Sequence, residues 1–240
     1  MAEKIYTIPV NDAWSSGCEC PLCRLYKDLE RDSIDFTMGP SYMEDDNREQ
    51  TDTLWFCPTH VRMLYAEKNR LGLALMMNTH MNKAIKDLKE AAKKGHASKQ
   101  GLFSRGSSEK SAVGTYISKL EDSCFICERI NKIFPRYVDT VFYMWKNDKD
   151  FPAKFMECKG FCIYHYGLLY DIAPEKLSKT QCDDFTAALN KVFFENIERV
   201  NGDVSWFIDK YDYRYKDAPW KNSKDAIPRG ITKCSHDIVE

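Results

Sequence analysis

Cysteine motifs with the spacing of metal ligands occur four times in the chain, as CPLC, CPTH, CFIC and CIYH. A Cys-x-x-Cys turn presents two thiolates towards one point. A Cys-x-x-His turn adds a thiolate and an imidazole, so that two such turns can complete a tetrahedral zinc shell. The candidate ligands are Cys20, Cys23, Cys57, His60, Cys124, Cys127, Cys162 and His165.

Neighbouring motifs are expected to share an ion. CPLC and CPTH are separated by 33 residues, and CFIC and CIYH by 34. The sequence therefore predicts two structural Zn²⁺ ions per chain, one in each half. An iron–sulfur cluster and redox-active dithiols remain as alternatives, and the histidine in each set favours zinc over a cluster.

The equal spacing belongs to a longer repeat with a period of about 104 residues, since Cys20 and Cys23 align with Cys124 and Cys127. We interpret this as two copies of one zinc-knuckle helical unit. The predicted organisation is a first unit at 1–94, a flexible linker at 95–114, a second unit at 115–202, and an aromatic and charged C-terminal segment at 203–240.

The elements that must hold these motifs are predicted to be helices, which makes the fold class mainly α. Apolar residues from Leu25 to Met38 recur at helical spacing until Gly39-Pro40 ends the run, and a longer helix is expected over 71–94. The polar stretch 41–52 and the charged stretch 147–160 are expected to be loops.

Two further cysteines near the motifs have no place in either set of four. Cys18 aligns with Asp122 in the repeat, and Cys158 precedes Cys162 by four residues. We interpret both as partly buried structural residues. The alternative is that they are accessory thiols that react or exchange with a ligand.

The C-terminal segment has no counterpart in the repeat. Its candidate partner-binding residues are Tyr211, Tyr213, Arg214, Tyr215 and Trp220, because tyrosine, tryptophan and arginine are enriched at recognition surfaces. The alternative is that the aromatic side chains pack back onto the rest of the protein.

Composition limits the function classes. The formal net charge of −1 argues against general binding of a polyanion, and 43% hydrophobic with 30% charged residues is typical of a globular protein. The N-terminal residues do not form a secretory signal, so a cytoplasmic location without membrane insertion is expected. No phosphate-binding glycine loop, nucleophile elbow or His-Glu-x-x-His helix occurs, which favours a non-catalytic function.

With these motifs, and with KIYTIPVNDA, GPSYMEDD, NRLGLAL and the C-terminal WFIDKYDYRYKDAPWKNSKDAIPR, the chain resembles an uncharacterised bacterial family that occurs in anaerobic Firmicutes. The resemblance covers nearly the whole chain and implies a bacterial cytoplasmic protein without an established activity. Members of that family are sometimes labelled as transporter substrate-binding proteins. This sequence departs from the label because it lacks an export signal and alternating strands and helices.

These observations predict a zinc-stabilised adaptor that binds a protein partner through the C-terminal segment or a groove between the two units. Three other functions remain open: a thiol-based redox sensor, an enzyme acting on a small substrate, and a single-stranded nucleic-acid binding protein that stacks bases on its aromatic residues. The sequence does not indicate the oligomeric state.

Overall fold

A computed structural model describes residues 4–95 and 110–239, and within these ranges the regular structure is helical, without strands. The predicted linker at 95–114 therefore falls mostly outside the described residues. The helices are α1 (Thr7–Ser15), α2 (Pro21–Met38), α3 (Asp45–Leu54), α4 (Pro58–Ala66), α5 (Arg70–Lys93), α6 (Ala112–Glu121), α7 (Phe125–Asn147), α8 (Phe151–Glu157), α9 (Ile163–Lys176), α10 (Lys179–Asp209) and α11 (Ala226–Ser235).

Three short 3₁₀ helices accompany them, at Lys4–Tyr6, Pro40–Met43 and Tyr213–Tyr215. The mainly α fold class is confirmed. Among the described residues, no helix combines the length and the apolar character that crossing a membrane requires.

The chain forms two compact units, and they are not the two sequential halves that the repeat predicts. Unit 1 comprises residues 1–29 and 132–240, and unit 2 comprises residues 30–131. The chain passes from unit 1 into unit 2 within α2 and returns within α7.

An aromatic core fills unit 1. The ring of Trp14 lies 5.4 Å from that of Phe151 and 6.1 Å from that of Phe161, and the ring of Phe155 lies 5.3 Å from that of Phe185. These side chains come from α1, α8, α10 and the segment before α9, so they hold that segment, with its CIYH motif, against the first helix.

Unit 2 packs α3 and α6 against α5. Trp55, at the end of α3, stacks on His80 of α5 with 4.6 Å between ring centroids, and Nδ1 of His80 lies 2.7 Å from the carbonyl oxygen of Asp52. The backbone amide of Phe125 donates to the carbonyl oxygen of Trp55 at 2.9 Å, which brings the start of α7 beside the segment that precedes α4.

Both stretches that were predicted to be loops contain helices. In 41–52, α3 begins with Asp45 and Asp46, whose carboxylates lie at the positive N-terminal end of the helix, and Thr51 is its one buried residue. In 147–160, the short helix α8 buries Phe151 and Phe155. The sequence of α3 is too polar, and that of α8 too short, for apolar residues to recur clearly at helical spacing.

Candidate metal centres

The eight predicted ligand residues lie in two groups of four, and in each group one donor atom from every residue lies within 4.8 Å of the others. Site A consists of Cys20, Cys23, Cys162 and His165 in unit 1. Site B consists of Cys57, His60, Cys124 and Cys127 in unit 2. All ten cysteines of the chain are free thiols.

This grouping corrects the predicted pairing of neighbouring motifs. Each site takes its Cys-x-x-Cys turn from one half of the sequence and its Cys-x-x-His turn from the other. The division of the chain into compact units gives the physical reason. The chain leaves unit 1 within α2 and returns to it within α7, so CPTH and CFIC both lie in unit 2, whereas CPLC and CIYH both lie in unit 1.

The donor distances fit a tetrahedral ion. In site A, Nδ1 of His165 lies 3.4 Å from Sγ of Cys20, 3.4 Å from Sγ of Cys23 and 3.3 Å from Sγ of Cys162. Zinc bonds of about 2.3 Å to sulfur and 2.0–2.1 Å to nitrogen place tetrahedral neighbours about 3.6 Å apart. The quartet can therefore close around an ion with a small adjustment of side chains.

Site B has the same dimensions. Nδ1 of His60 lies 3.2 Å from Sγ of Cys57, 3.3 Å from Sγ of Cys124 and 3.4 Å from Sγ of Cys127. Both histidines thus direct Nδ1 to the sulfur atoms, so that Nε2 faces away from the candidate ion.

Every motif lies at the start of a helix. Cys57 and Cys162 are the N-cap residues of α4 and α9, and Cys20 and Cys124 directly precede α2 and α7. Sγ of Cys162 also accepts a hydrogen bond from the backbone amide of His165 at 3.3 Å. Because the N-terminal end of a helix is positive, it stabilises the thiolate form that binds metal.

Interactions within each site distribute the charge unevenly. Burial opposes protonation of His60, but its contacts with Cys124 and Glu30 raise its pKa to about 10. Burial also disfavours a Cys124 thiolate, yet hydrogen bonding to His60 lowers the pKa of Cys124 to about 6. At site A, hydrogen bonds from Cys20 and Cys23 hold the pKa of Cys162 far below its ordinary value. The thiolate form is therefore favoured at Cys124 in site B and at Cys162 in site A, and a divalent cation would stabilise the thiolate form of every cysteine that binds it.

The surroundings of the ligand histidine ring distinguish the two sites. At site B, Nε2 of His60 lies 3.2 Å from Oε1 of Glu30, and both side chains are buried. At site A, the ring of His165 packs against Phe134, with 5.5 Å between centroids. Glu30 and Phe134 each follow the second cysteine of a Cys-x-x-Cys motif by seven positions. A carboxylate that contacts a ligating histidine orients its ring and raises its basicity. Of the two residues at this position, only Glu30 has a carboxylate, so the effect is available at site B.

A buried lysine joins the two segments that carry site A. Nζ of Lys233, in α11, donates to the carbonyl oxygens of Glu19 and Lys159 at 2.6 Å each, and lies 3.2 Å from Oε2 of Glu19. Glu19 directly precedes Cys20, and Lys159 lies three residues before Cys162. The lysine thus fixes the separation of the two knuckles.

The backbone beside this lysine requires a glycine. Gly160 has φ +84°, and a Cβ there would lie 2.9 Å from Cβ of Asn196 and 3.0 Å from the carbonyl oxygen of Val192. Only glycine fits both this left-handed conformation and this close approach of α10.

The accessory thiols that were singled out lie near each other beside site A. Cys158 is buried, Cys18 is half-buried, and Cys18 acts electrostatically on Cys158. Burial raises the pKa of the Cys158 thiol to about 11, so it is protonated and unreactive at neutral pH.

The C-terminal aromatic residues divide into packed and exposed sets. Phe207 lies 5.8 Å from Trp220, and Nε1 of Trp206 donates to the carbonyl oxygen of Pro219 at 3.0 Å, so the segment folds back onto the end of α10. By contrast, 78% of Tyr211 and 86% of Tyr213 remain exposed.

Arg214 and Tyr215 complete the candidate set. The guanidinium of Arg214 pairs with Asp212 at 2.7 Å and holds the pKa of that carboxyl below its ordinary value, while the ring of Tyr215 lies 5.6 Å from that of Trp206. Helix α10 continues to Asp209, so the first residues of the C-terminal segment 203–240 are helical.

The chain belongs to a family of unknown function, DUF6062, whose family model matches residues 1–240. This agrees with the resemblance to an uncharacterised family. No curated protein and no solved structure gives a significant match.

Proposed function

We propose that the protein binds two Zn²⁺ ions, one at site A and one at site B, and that both ions are structural. The observation that supports this most directly is the pair of Cys₃His quartets whose sulfur–nitrogen distances are all 3.2–3.4 Å. Zinc accepts three thiolates and one imidazole in tetrahedral geometry, whereas the histidine in each quartet disfavours an iron–sulfur cluster.

A structural role follows from the complete ligand sets. Each quartet supplies four protein ligands, while a catalytic zinc keeps one position for water or substrate. The ligating residues are also largely buried. When bound, each ion would neutralise the charge of its thiolates and cross-link two segments that are distant in sequence. The segments of site A are 139 residues apart, from Cys23 to Cys162, and those of site B are 64 residues apart, from His60 to Cys124.

The test is metal removal with two simultaneous readouts. Protein purified under reducing conditions should contain about two zinc ions per chain by elemental analysis. Stepwise chelation should lower the helical circular dichroism as zinc leaves, because structural zinc can contribute about 10–16 kcal/mol to folding. A metal-free protein with unchanged helicity and unchanged urea unfolding would contradict a structural role, and an iron content with visible absorbance would contradict zinc.

A second function, as an adaptor for a protein partner, is supported by the exposed apolar surface at the end of α10. Ile208 is 64% exposed, beside the exposed rings of Tyr211 and Tyr213. Large aromatic side chains that are exposed together are typical of recognition surfaces. The near-neutral chain favours a protein over a nucleic acid as the partner.

The adaptor proposal predicts that the double variant Tyr211→Ala/Tyr213→Ala folds normally and loses a specific protein that the wild type captures from its source cells. Tyr65→Ala is the matched control, since that ring is 63% exposed on α4 of unit 2. Retention of every captured protein by the double variant would argue against this surface, as would equal loss in the control.

A further inference from the structure

Helix α5 has two apolar faces, of which one is buried in unit 2 and the other is exposed. The buried face includes Leu73, Met76 and His80. The second face lies about 135° further round the helix axis, at 100° per residue. Its members recur in alternating steps of three and four residues, and we call them the α5 seam: Leu71, Ala74, Asn78, Met81, Ile85, Leu88 and Ala92.

The α5 seam is open to solvent along its length. Leu71 is 66% exposed, Met81 54% and Ile85 48%. Leu88 is half-buried, and the other three members are exposed. Large apolar side chains that are exposed together in a row mark a surface that another molecule covers.

The order of residue types in the α5 seam is that of a two-stranded coiled coil. Steps of three and four are the a and d positions of a heptad repeat, here sustained for three heptads. The a positions are Leu71, Asn78, Ile85 and Ala92, and the d positions are Ala74, Met81 and Leu88. A β-branched residue at a, leucine at d and a single asparagine at a favour a parallel pair of helices.

The charges of α5 are compatible with a second copy of the same helix. Most of them lie at positions b, c and f, away from the α5 seam: Lys83, Lys86, Asp87, Glu90 and Lys93. Only Arg70 and Lys89 of the charged residues in α5 flank the seam. In a parallel pair they would face Leu75 and Ala84 of the second copy, so that like charges do not meet.

Asn78 decides between a second copy and an unrelated apolar partner. A buried amide without a hydrogen-bond partner costs about 1–3 kcal/mol, so the occupant must present a polar group at the same height. A parallel copy does so by symmetry, because Asn78 then meets Asn78 across the two-fold axis. In an antiparallel pair, a positions face d positions, and all three d residues here are apolar.

The size of the α5 seam is that of a reversible interface. Its 22 residues span about 33 Å, and a helix with side chains is about 10–12 Å across, so each copy would bury on the order of 500 Å². The total of about 1,000 Å² is at the lower limit for a specific interface.

We propose that the protein forms a parallel homodimer in which α5 of one copy packs against α5 of a second copy along the α5 seam. Met81 and Ile85 lie in the central part of the interface and lose their exposed apolar surface on association, which supplies the driving force.

The test is sedimentation equilibrium of the full zinc-loaded chain under reducing conditions. Loading concentrations run from about 1 µM to 1 mM, the range in which so small an interface is expected to dissociate. The weight-average mass should rise from that of one chain to that of two, and no further. A wild type that stays monomeric throughout would assign the face to another occupant and overturn the proposal.

Variants locate the interface. Ile85→Asp and Met81→Asp each place two carboxylates in the α5 seam of a dimer, and each should raise the dissociation constant about 100-fold or more. Zinc content and helicity should not change, because both side chains are about half exposed in one copy. Ile208→Asp makes the same change at a 64% exposed position of α10 and should leave dimerisation unchanged. Equal weakening in this control, or none in the seam variants, would overturn the proposal.

Asn78→Val tests the register. A polar residue at an a position fixes the number of strands and lowers the stability of the coiled coil. The variant should therefore associate about tenfold more tightly and form complexes of more than two chains. A variant with the affinity and mass of the wild type would contradict the pairing of Asn78 with its own copy.

Discussion

Nε2 of His60 lies 3.2 Å from Oε1 of Glu30, so the candidate ligand histidine of site B has a carboxylate behind it. We predict that Glu30→Gln weakens zinc binding at site B by about 10- to 100-fold, because the ring loses its orienting and charge-stabilising partner. Competition with a chromogenic chelator measures this.

The controls for Glu30→Gln use both sites. Site A should keep its affinity, since the ring of His165 contacts Phe134 instead. Glu90→Gln, at an exposed position of α5, should change neither site. Unchanged zinc affinity of site B in Glu30→Gln would show that the contact has no role in holding the ion.

Paired substitutions test which motifs share an ion. We expect Cys57→Ser/Cys124→Ser to retain about one zinc per chain, because both residues belong to site B, and Cys20→Ser/Cys57→Ser to retain almost none, because it damages both sites. Mass spectrometry under native conditions counts the ions. If neighbouring motifs shared an ion, the two double variants would give the opposite counts.

Lys233 should contribute more to the stability of unit 1 than any exposed lysine does. Lys233→Met removes the donor from the carbonyl oxygens of Glu19 and Lys159 and leaves Glu19 with one ion-pair partner fewer. We expect a loss of about 3–5 kcal/mol in the free energy of unfolding, in the range for breaking a buried charged pair. Urea unfolding measures it, with Lys191→Met as the control. A loss below about 1 kcal/mol would contradict the bridging role.

The buried thiol of Cys158 should make stability depend on pH in the alkaline range. Burial raises its folded-state pKa to about 11, against about 8.5 for an unperturbed cysteine. Between these values the unfolded chain releases a proton that the folded chain keeps. Stability therefore falls as pH rises, by up to about 1.4 kcal/mol per pH unit.

Comparison with Cys158→Ala isolates the contribution of this thiol to the pH dependence. Between about pH 8.5 and 11, the free energy of unfolding should fall less steeply with pH in the variant than in the wild type. At neutral pH the thiol should also be alkylated far more slowly than Cys234, which is exposed. Equal alkylation rates, or identical pH slopes in the two proteins, would contradict burial of the thiol.

Much of the candidate site could be predicted from the sequence, because ligand chemistry is local. Two thiolates in a Cys-x-x-Cys turn converge whatever the rest of the chain does, so the residues of both quartets were identifiable from spacing. The helix from CPLC to Met38 was equally predictable, since Gly39-Pro40 ends it.

The pairing of the motifs was not predictable in this way. Either pairing gives two sets of three cysteines and one histidine, and the spacings of 33 and 34 residues are compatible with both. The choice depends on which motifs share a compact unit, and the chain changes unit within α2 and within α7, two continuous helices whose apolar spacing does not mark the change. Lys233 was missed for a related reason, because nothing in the sequence around a single lysine indicates burial.

The most direct test of the account is to replace zinc with ¹¹³Cd and record the scalar couplings from each metal nucleus to the protons of its ligands. We predict two cadmium resonances, one coupled to Cys20, Cys23, Cys162 and His165, and the other to Cys57, His60, Cys124 and Cys127. A resonance that couples to both Cys20 and Cys57, or a chain that binds no cadmium while fully reduced, would contradict it.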